Sequence, residues 1–145
     1  PTVLRGYVNR PDATAAALRD GWLFTGDLGY RDEEGFLFVV SRRTDLIISG
    51  GENVYPAEIE AALLAHSAVA EAAALGLPDA QWGQVPAAAV VLRAGQTATP
   101  ADLIAWCRAR MAGYKTPRRI EIVPALPRNA GGKVIRAELR ALFEA

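Results

Sequence analysis

An α+β fold is the class this sequence predicts, and three observations carry it. Strand-like and helix-like segments follow one another without strict βαβ alternation. A β-hairpin pattern occupies the front of the chain. The length, 145 residues, supports one domain, or one small domain with a piece of a neighbour.

The elements follow in order. Thr2-Val3-Leu4 runs directly into Arg5-Gly6-Tyr7 without a start methionine, which reads as the interior of a longer protein. Asp12 is placed to cap an Ala-rich helix reaching about Leu18, because its carboxylate can satisfy first-turn amides. Gly21 to Thr25 is apolar and β-favouring and ends in the turn-like Gly26-Asp27. Leu28–Tyr30 and Phe36–Val40 flank Asp32-Glu33-Glu34-Gly35, the pattern of a hairpin. Leu46-Ile47-Ile48 reads as a buried strand entering a loop, Ser49 to Asn53, that needs glycine conformations. Pro56 then opens a helix to about His66, where a missing amide costs nothing and the early glutamates favour the dipole. Val69–Leu77 and Val85–Leu92 are strands, although alanine richness blurs helix against strand in both. Thr99-Pro100 starts a helix with Leu103, Ile104, Trp106 and Met111 as its apolar stripe, ended by Gly113. Ile120–Val123 is a strand, Pro124 to Gly132 a loop, and Ala137–Phe143 a closing helix.

Composition excludes several classes. About half the residues are hydrophobic and 22% are charged, a globular balance. No apolar run approaches the roughly 18 residues of a membrane span, and no secretory h-region is present, so the cytoplasm is the default compartment. One cysteine, Cys107, and one histidine, His66, leave no disulfide framework and no expected metal site. The net charge is zero, yet from residue 105 onward nine basic residues face three acidic ones. A cationic end on a neutral chain suggests local anion binding, with a solvated helix face as the plain alternative. Fourteen of the sixteen basic residues are Arg, which singles out Lys115 and Lys133.

Three Gly-containing polar loops stand where ligand loops usually sit, next to strands: Thr25-Gly26-Asp27, Ser49 to Asn53, and Pro127 to Lys133. Singly, an Asp after a strand is more often a turn residue than a ribose ligand, and a Gly pair is more often a tight turn. Lys133 is the exception to the Arg background: a slim ammonium on a Gly loop can reach a buried anion.

In this order the loops resemble the C-terminal part of the adenylate-forming enzymes, the family of acyl-CoA synthetases, peptide-synthetase adenylation domains and luciferases. The matching residues are Gly21 to Asp27, Arg42 to Asp45 with Ile47 to Glu60, and Leu126 to Asn129 with Gly131-Gly132-Lys133. The resemblance covers essentially the whole chain. It implies a small mixed sheet with flanking helices, the C-terminal lid over residues 42–145, preceded by a β-hairpin remnant of the large domain over residues 1–41. It implies an acid–CoA ligase that activates a carboxylic acid with ATP and Mg2+ to an acyl-adenylate and passes the acyl group to CoA. By the same resemblance Asp27 binds the ribose hydroxyls, Arg42 lies near ribose and phosphate, and Lys133 is the catalytic residue, bridging carboxylate and α-phosphate. Thr44 is the hinge. Gly50, Gly51 and Glu52 line the pantetheine path, and Trp82, Tyr114 and Arg118 lie beside the CoA nucleotide.

Three positions depart from the family pattern: Ser41 where Gly is usual, Thr44 where Asp or Lys is common, and Thr116 where some relatives carry Arg. The phosphate-gripping loop and the acyl pocket belong to the large N-terminal domain and are absent from these residues. The fragment alone is therefore expected to bind no cofactor and to be inactive, and the acyl substrate is not written in it. Asp79 to Pro86 and Leu126 to Ala130 look most like the 2-succinylbenzoate–CoA ligases. The rival is a non-catalytic lid-like module that binds CoA, a nucleotide or a protein. Neither a nucleic-acid nor a membrane partner is expected.

Overall fold

The computed structural model describes residues 2–144, which form two compact units, one ending at Thr44 and the other beginning at Asp45. The first unit is built from local pieces. Helix α1 (Pro11–Ala17) starts with proline in its first turn, and Asp12 does not cap it. Asp12 lies inside the first turn, after the Arg10 cap position, and its carboxylate pairs with the Arg10 guanidinium at 3.1 and 3.2 Å. Strands β1 (Leu18–Arg19) and β2 (Trp22–Leu23) pair across Asp20-Gly21. Both turn residues have positive φ, the conformation that two-residue hairpin turns need, so Asp-Gly is turn and not strand.

Strands β3 (Asp27–Arg31) and β4 (Leu37–Arg42) form the expected hairpin. Asp27 opens β3 opposite Arg42 and is not the turn residue the sequence suggested. Gly29 approaches the Phe38 carbonyl so closely that a Cβ would sit 2.6 Å from it. Tyr30 stacks on Phe38, while Leu37 and Val39 stay about 70% exposed.

The second unit is a five-stranded sheet. Strand β5 (Ile47–Ser49) turns through Gly50-Gly51 into β6 (Glu52–Val54), so Glu52 and Asn53 are strand where a loop was expected. Helix α2 (Pro56–Leu64) precedes the long antiparallel ribbon of β7 (Val69–Asp79) and β8 (Gly83–Leu92). Helix α3 (Pro100–Arg108) is held at its start by a reciprocal cap between Thr99 and Asp102 and ends at Arg108, before Gly113. Strand β9 (Arg119–Ile122) pairs in parallel with β8, and helix α4 (Arg136–Ala141) closes the chain. The order is β6-β5-β8-β7, with β9 sharing the β5 side of β8.

The two faces of the ribbon carry separate cores. Val69, Ala74, Ala88 and Val90 pack with Ile59 and Leu63 of α2 and Leu103 and Cys107 of α3. Ala73, Leu75, Leu77, Val85, Ala87 and Ala89 pack with Leu126, Leu139 and Phe143 on the other face. The alanine run that blurred the secondary structure is explained here: helices cover the ribbon on both faces, so small side chains are needed on both. The register shifts between Val69 and Glu71. With Ala70 as the extra residue, Val69 joins the α2–α3 face while Glu71, opposite Val91, falls on the α4 face.

Candidate functional site

In the first unit the ladder between β3 and β4 places Asp27 directly opposite Arg42. Arg42 Nε lies 2.8 Å from Asp27 Oδ1, and its Nη1 donates to the Thr25 carbonyl at 2.9 Å. Thr25 Oγ1 accepts the Asp27 amide at 3.1 Å, and Gly26 accepts the Arg43 amide. Asp27 thus sits on a strand end held by Arg42, Thr25 and the β3–β4 ladder. A cavity of about 510 Å³ opens beside it, lined among others by Arg19, Phe24, Thr25, Gly26 and Arg43. Thr44 lies in a 3-10 turn, Arg43–Asp45, immediately after β4.

In the second unit the Gly50-Gly51 turn has φ of +60° and +86°. Two positive φ values suit a turn whose twist matches the flanking strands. Gly50 carries a second constraint. A Cβ there would lie 2.7 Å from the Trp82 ring, whereas nothing stands within 4 Å of one at Gly51. The Gly50 amide also donates to the Trp82 carbonyl at 2.9 Å. Trp82 is presented by a turn in which Asp79 Oδ1 accepts the amides of Gln81 and Trp82 at 2.9 and 2.8 Å. The Arg118 guanidinium lies 5.7 Å from the Trp82 ring centroid. The structure therefore joins Gly50, Trp82 and Arg118 into one strip.

Tyr114 lies on a 3-10 turn, Gly113–Lys115, and is 40% exposed. Lys115 is the lysine that sequence reasoning could not place. Its Nζ donates to both Glu58 carboxylate oxygens, at 2.8 and 2.9 Å, tying this turn to the first turn of α2. Those hydrogen bonds raise the ammonium above the usual lysine range. Thr116 is buried, its hydroxyl donating to the Ala112 carbonyl.

Lys133 ends a loop organised by Asn129. Asn129 Oδ1 accepts the amides of Gly131 and Lys133, each at 3.0 Å, and the Asn129 amide donates to the Lys133 carbonyl at 2.9 Å. The Arg128 side chain donates to the Gly132 carbonyl at 2.6 Å and also to Glu71 of β7. The motif includes Asn129 without a role for it, and nothing in the sequence marks Glu71, because a cross-fold ion pair leaves no spacing signal.

The structure does not bring Lys133 and the Gly50 turn together. Gly83 pairs with Ser49 beside the Gly50 turn, while Glu71, which braces the Lys133 loop, pairs with Val91. These contacts are eight residues apart along β8, about 26 Å at the rise of a strand. Among the described residues there is no cluster of His, Cys, Asp and Glu able to hold a metal ion, and no helix long and apolar enough to cross a membrane.

The family described as AMP-binding enzyme C-terminal domain matches residues 58–133. The chain is 58% identical to the 2-succinylbenzoate–CoA ligase of Geobacillus kaustophilus (strain HTA426) over 143 residues, 99% of this chain and 29% of the relative. Among solved structures it is similar to the o-succinylbenzoate CoA synthetase MenE of Bacillus subtilis in complex with the acyl-adenylate intermediate OSB-AMP. That match has a TM-score of 0.86 and 48% identity and covers 99% of this chain and 28% of the other. The same enzyme in complex with ATP and a magnesium ion gives a TM-score of 0.85 and 50% identity, over 94% of this chain and 28% of the other. The chain thus spans under a third of the length of these relatives.

Proposed function

The chain belongs to the AMP-binding enzyme C-terminal domain family, and from that premise we propose that it is the mobile lid, with the last hairpin of the large domain, of an AMP-forming acid–CoA ligase. The domains divide at residues 41/42 on this reading, with 2-succinylbenzoate as the acid and the cytoplasm as the compartment. Similarity to ligases over 99% of this chain favours this over a non-catalytic binding module.

The observation that carries the proposal is the placement of two candidate loops at opposite ends of the β7–β8 ribbon. One body cannot present both to a single reacting carboxyl group. Adenylation calls for a cation where negative charge builds between carboxylate and α-phosphate, and Lys133 supplies it from the end of a fixed turn. ATP brings Mg2+ with it as part of the substrate. Asp27 receives the ribose diol on its carboxylate while Arg42 holds that carboxylate in line. The lid then pivots at Thr44, carrying Lys133 out and the Gly50-Gly51-Glu52 turn in. A bare turn lets a slim thiol arm pass, and the Trp82–Arg118 strip with Tyr114 receives the CoA nucleotide by stacking and phosphate pairing.

Lys133→Ala in the full-length enzyme tests the assignment. ATP–pyrophosphate exchange with 2-succinylbenzoate should fall by about 100-fold or more, while thioester formation from supplied acyl-adenylate and CoA stays within about twofold. Equal loss in both half-reactions would refute the role.

A further inference from the structure

Two arginines flank Lys133, and both reach the ribbon. Arg128, five positions before it, forks between the Gly132 carbonyl and the Glu71 carboxylate. Arg136, three positions after it, donates to the Ala74 carbonyl and pairs with Asp45 at 3.4 Å and with Glu60 at 3.9 Å. Glu60 in turn accepts the Ala74 amide at 2.9 Å. The Lys133 loop is thus tied at both ends to one outer strand of the sheet, β7. Within it, Asn129 gathers the Gly131 and Lys133 amides onto one oxygen.

Each feature needs its residue type. One side chain must engage a carbonyl and a carboxylate at once, which a planar fork does and a lysine point charge does not. Glu71 lies on the α4 face by regular alternation with Ala73, Leu75 and Leu77 along β7. The extra residue at Ala70 turns Val69, not Glu71, to the opposite face. A glycine-rich loop on its own would let the lysine wander, and a displacement of about 1 Å at a reacting group costs about 100-fold in rate.

We propose that Glu71, Arg128 and Asn129 are positioning residues for Lys133: Glu71, held on the α4 face of β7, anchors Arg128, Arg128 clamps the Gly132 carbonyl, and Asn129 fixes the Lys133 backbone. The proposal rests on the adenylating role given to Lys133 above. None of the three touches substrate. Their effect is on where the ammonium stands.

The test uses the full-length enzyme with 2-succinylbenzoate as the acid, reading the two half-reactions separately. Glu71→Ala and Asn129→Leu should each lower kcat for pyrophosphate exchange by about 10- to 100-fold. KM for ATP and for the acid should stay within about twofold, as should thioester formation from supplied acyl-adenylate. Glu71→Gln keeps an acceptor for the guanidinium and should recover most of the rate, whereas Arg128→Lys loses the fork and should not. Thermal unfolding checks that each variant is folded, which the half-exposed Glu71 side chain favours. Wild-type exchange in both Glu71→Ala and Asn129→Leu, or equal loss in both half-reactions, overturns the proposal. Lys133→Ala, run in parallel, separates the two levels. If it abolishes exchange while the brace variants do not, the brace alone fails; if it leaves exchange intact, the reading beneath fails with it.

Discussion

Two adjacent glycines with similar φ values meet different demands. Gly51 is glycine for its conformation alone, since a methyl group there would meet open space. Gly50 is glycine for conformation and for the Trp82 ring packed on it. Gly51→Ala should therefore cost about 1 kcal/mol from backbone strain, while Gly50→Ala adds overpacking for a total of about 2–4 kcal/mol. Urea denaturation of both variants checks the order. In a double-mutant cycle, Trp82→Ala should relieve the excess at Gly50 and leave Gly51→Ala unchanged. If Gly50→Ala costs no more than Gly51→Ala, the ring contact does not constrain the turn.

Elements were legible where their signal is local. Pro56, Thr99-Pro100 and the hairpin around Asp32 to Gly35 sit where the structure uses them. What was not legible depends on partners far along the chain. Asp12 was read as a cap because nothing in the spacing says that Arg10 would take its carboxylate. Asp27 was read as a turn because its strand pairing comes from Arg42, fifteen residues away. The α3 stripe was read without Cys107, which is fully buried beside Leu103, because a lone cysteine was weighed as chemistry and not as packing. Burial pushes the Cys107 thiol up to about 11. The unfolded thiol ionises near 9. Its contribution to stability is therefore intact below pH 9 and is lost as pH rises toward 11. The wild-type protein should lose more stability than Cys107→Ala between pH 8 and 10.5, by urea denaturation at each pH. Parallel slopes would show that this thiol does not titrate on unfolding.

At the scale of the molecule, the second unit holds two cores on one sheet, each closed by its own helices. The first unit holds short pairings and an aromatic hairpin with much of its apolar surface uncovered. Residues 45–145 expressed alone should unfold in one cooperative step, and adding residues 1–44 should leave that midpoint within a few degrees. A broad, non-cooperative transition for residues 45–145 would contradict the division into units. The zero net charge likewise resolves at this scale, because several arginines of the basic end bind groups of the fold from its surface. Arg119, Arg128 and Arg136 hold carbonyls and carboxylates, and Lys133 ends the glycine loop. The 26 Å between the Gly50 turn and the brace at Glu71 has a last consequence. A stiff ribbon with a different tool at each end behaves as a seesaw: lowering one end lifts the other. On the proposed function the thiol cannot arrive while the lysine is still at work, so the order of the two half-reactions is kept by the length of a hairpin, without a dedicated switch.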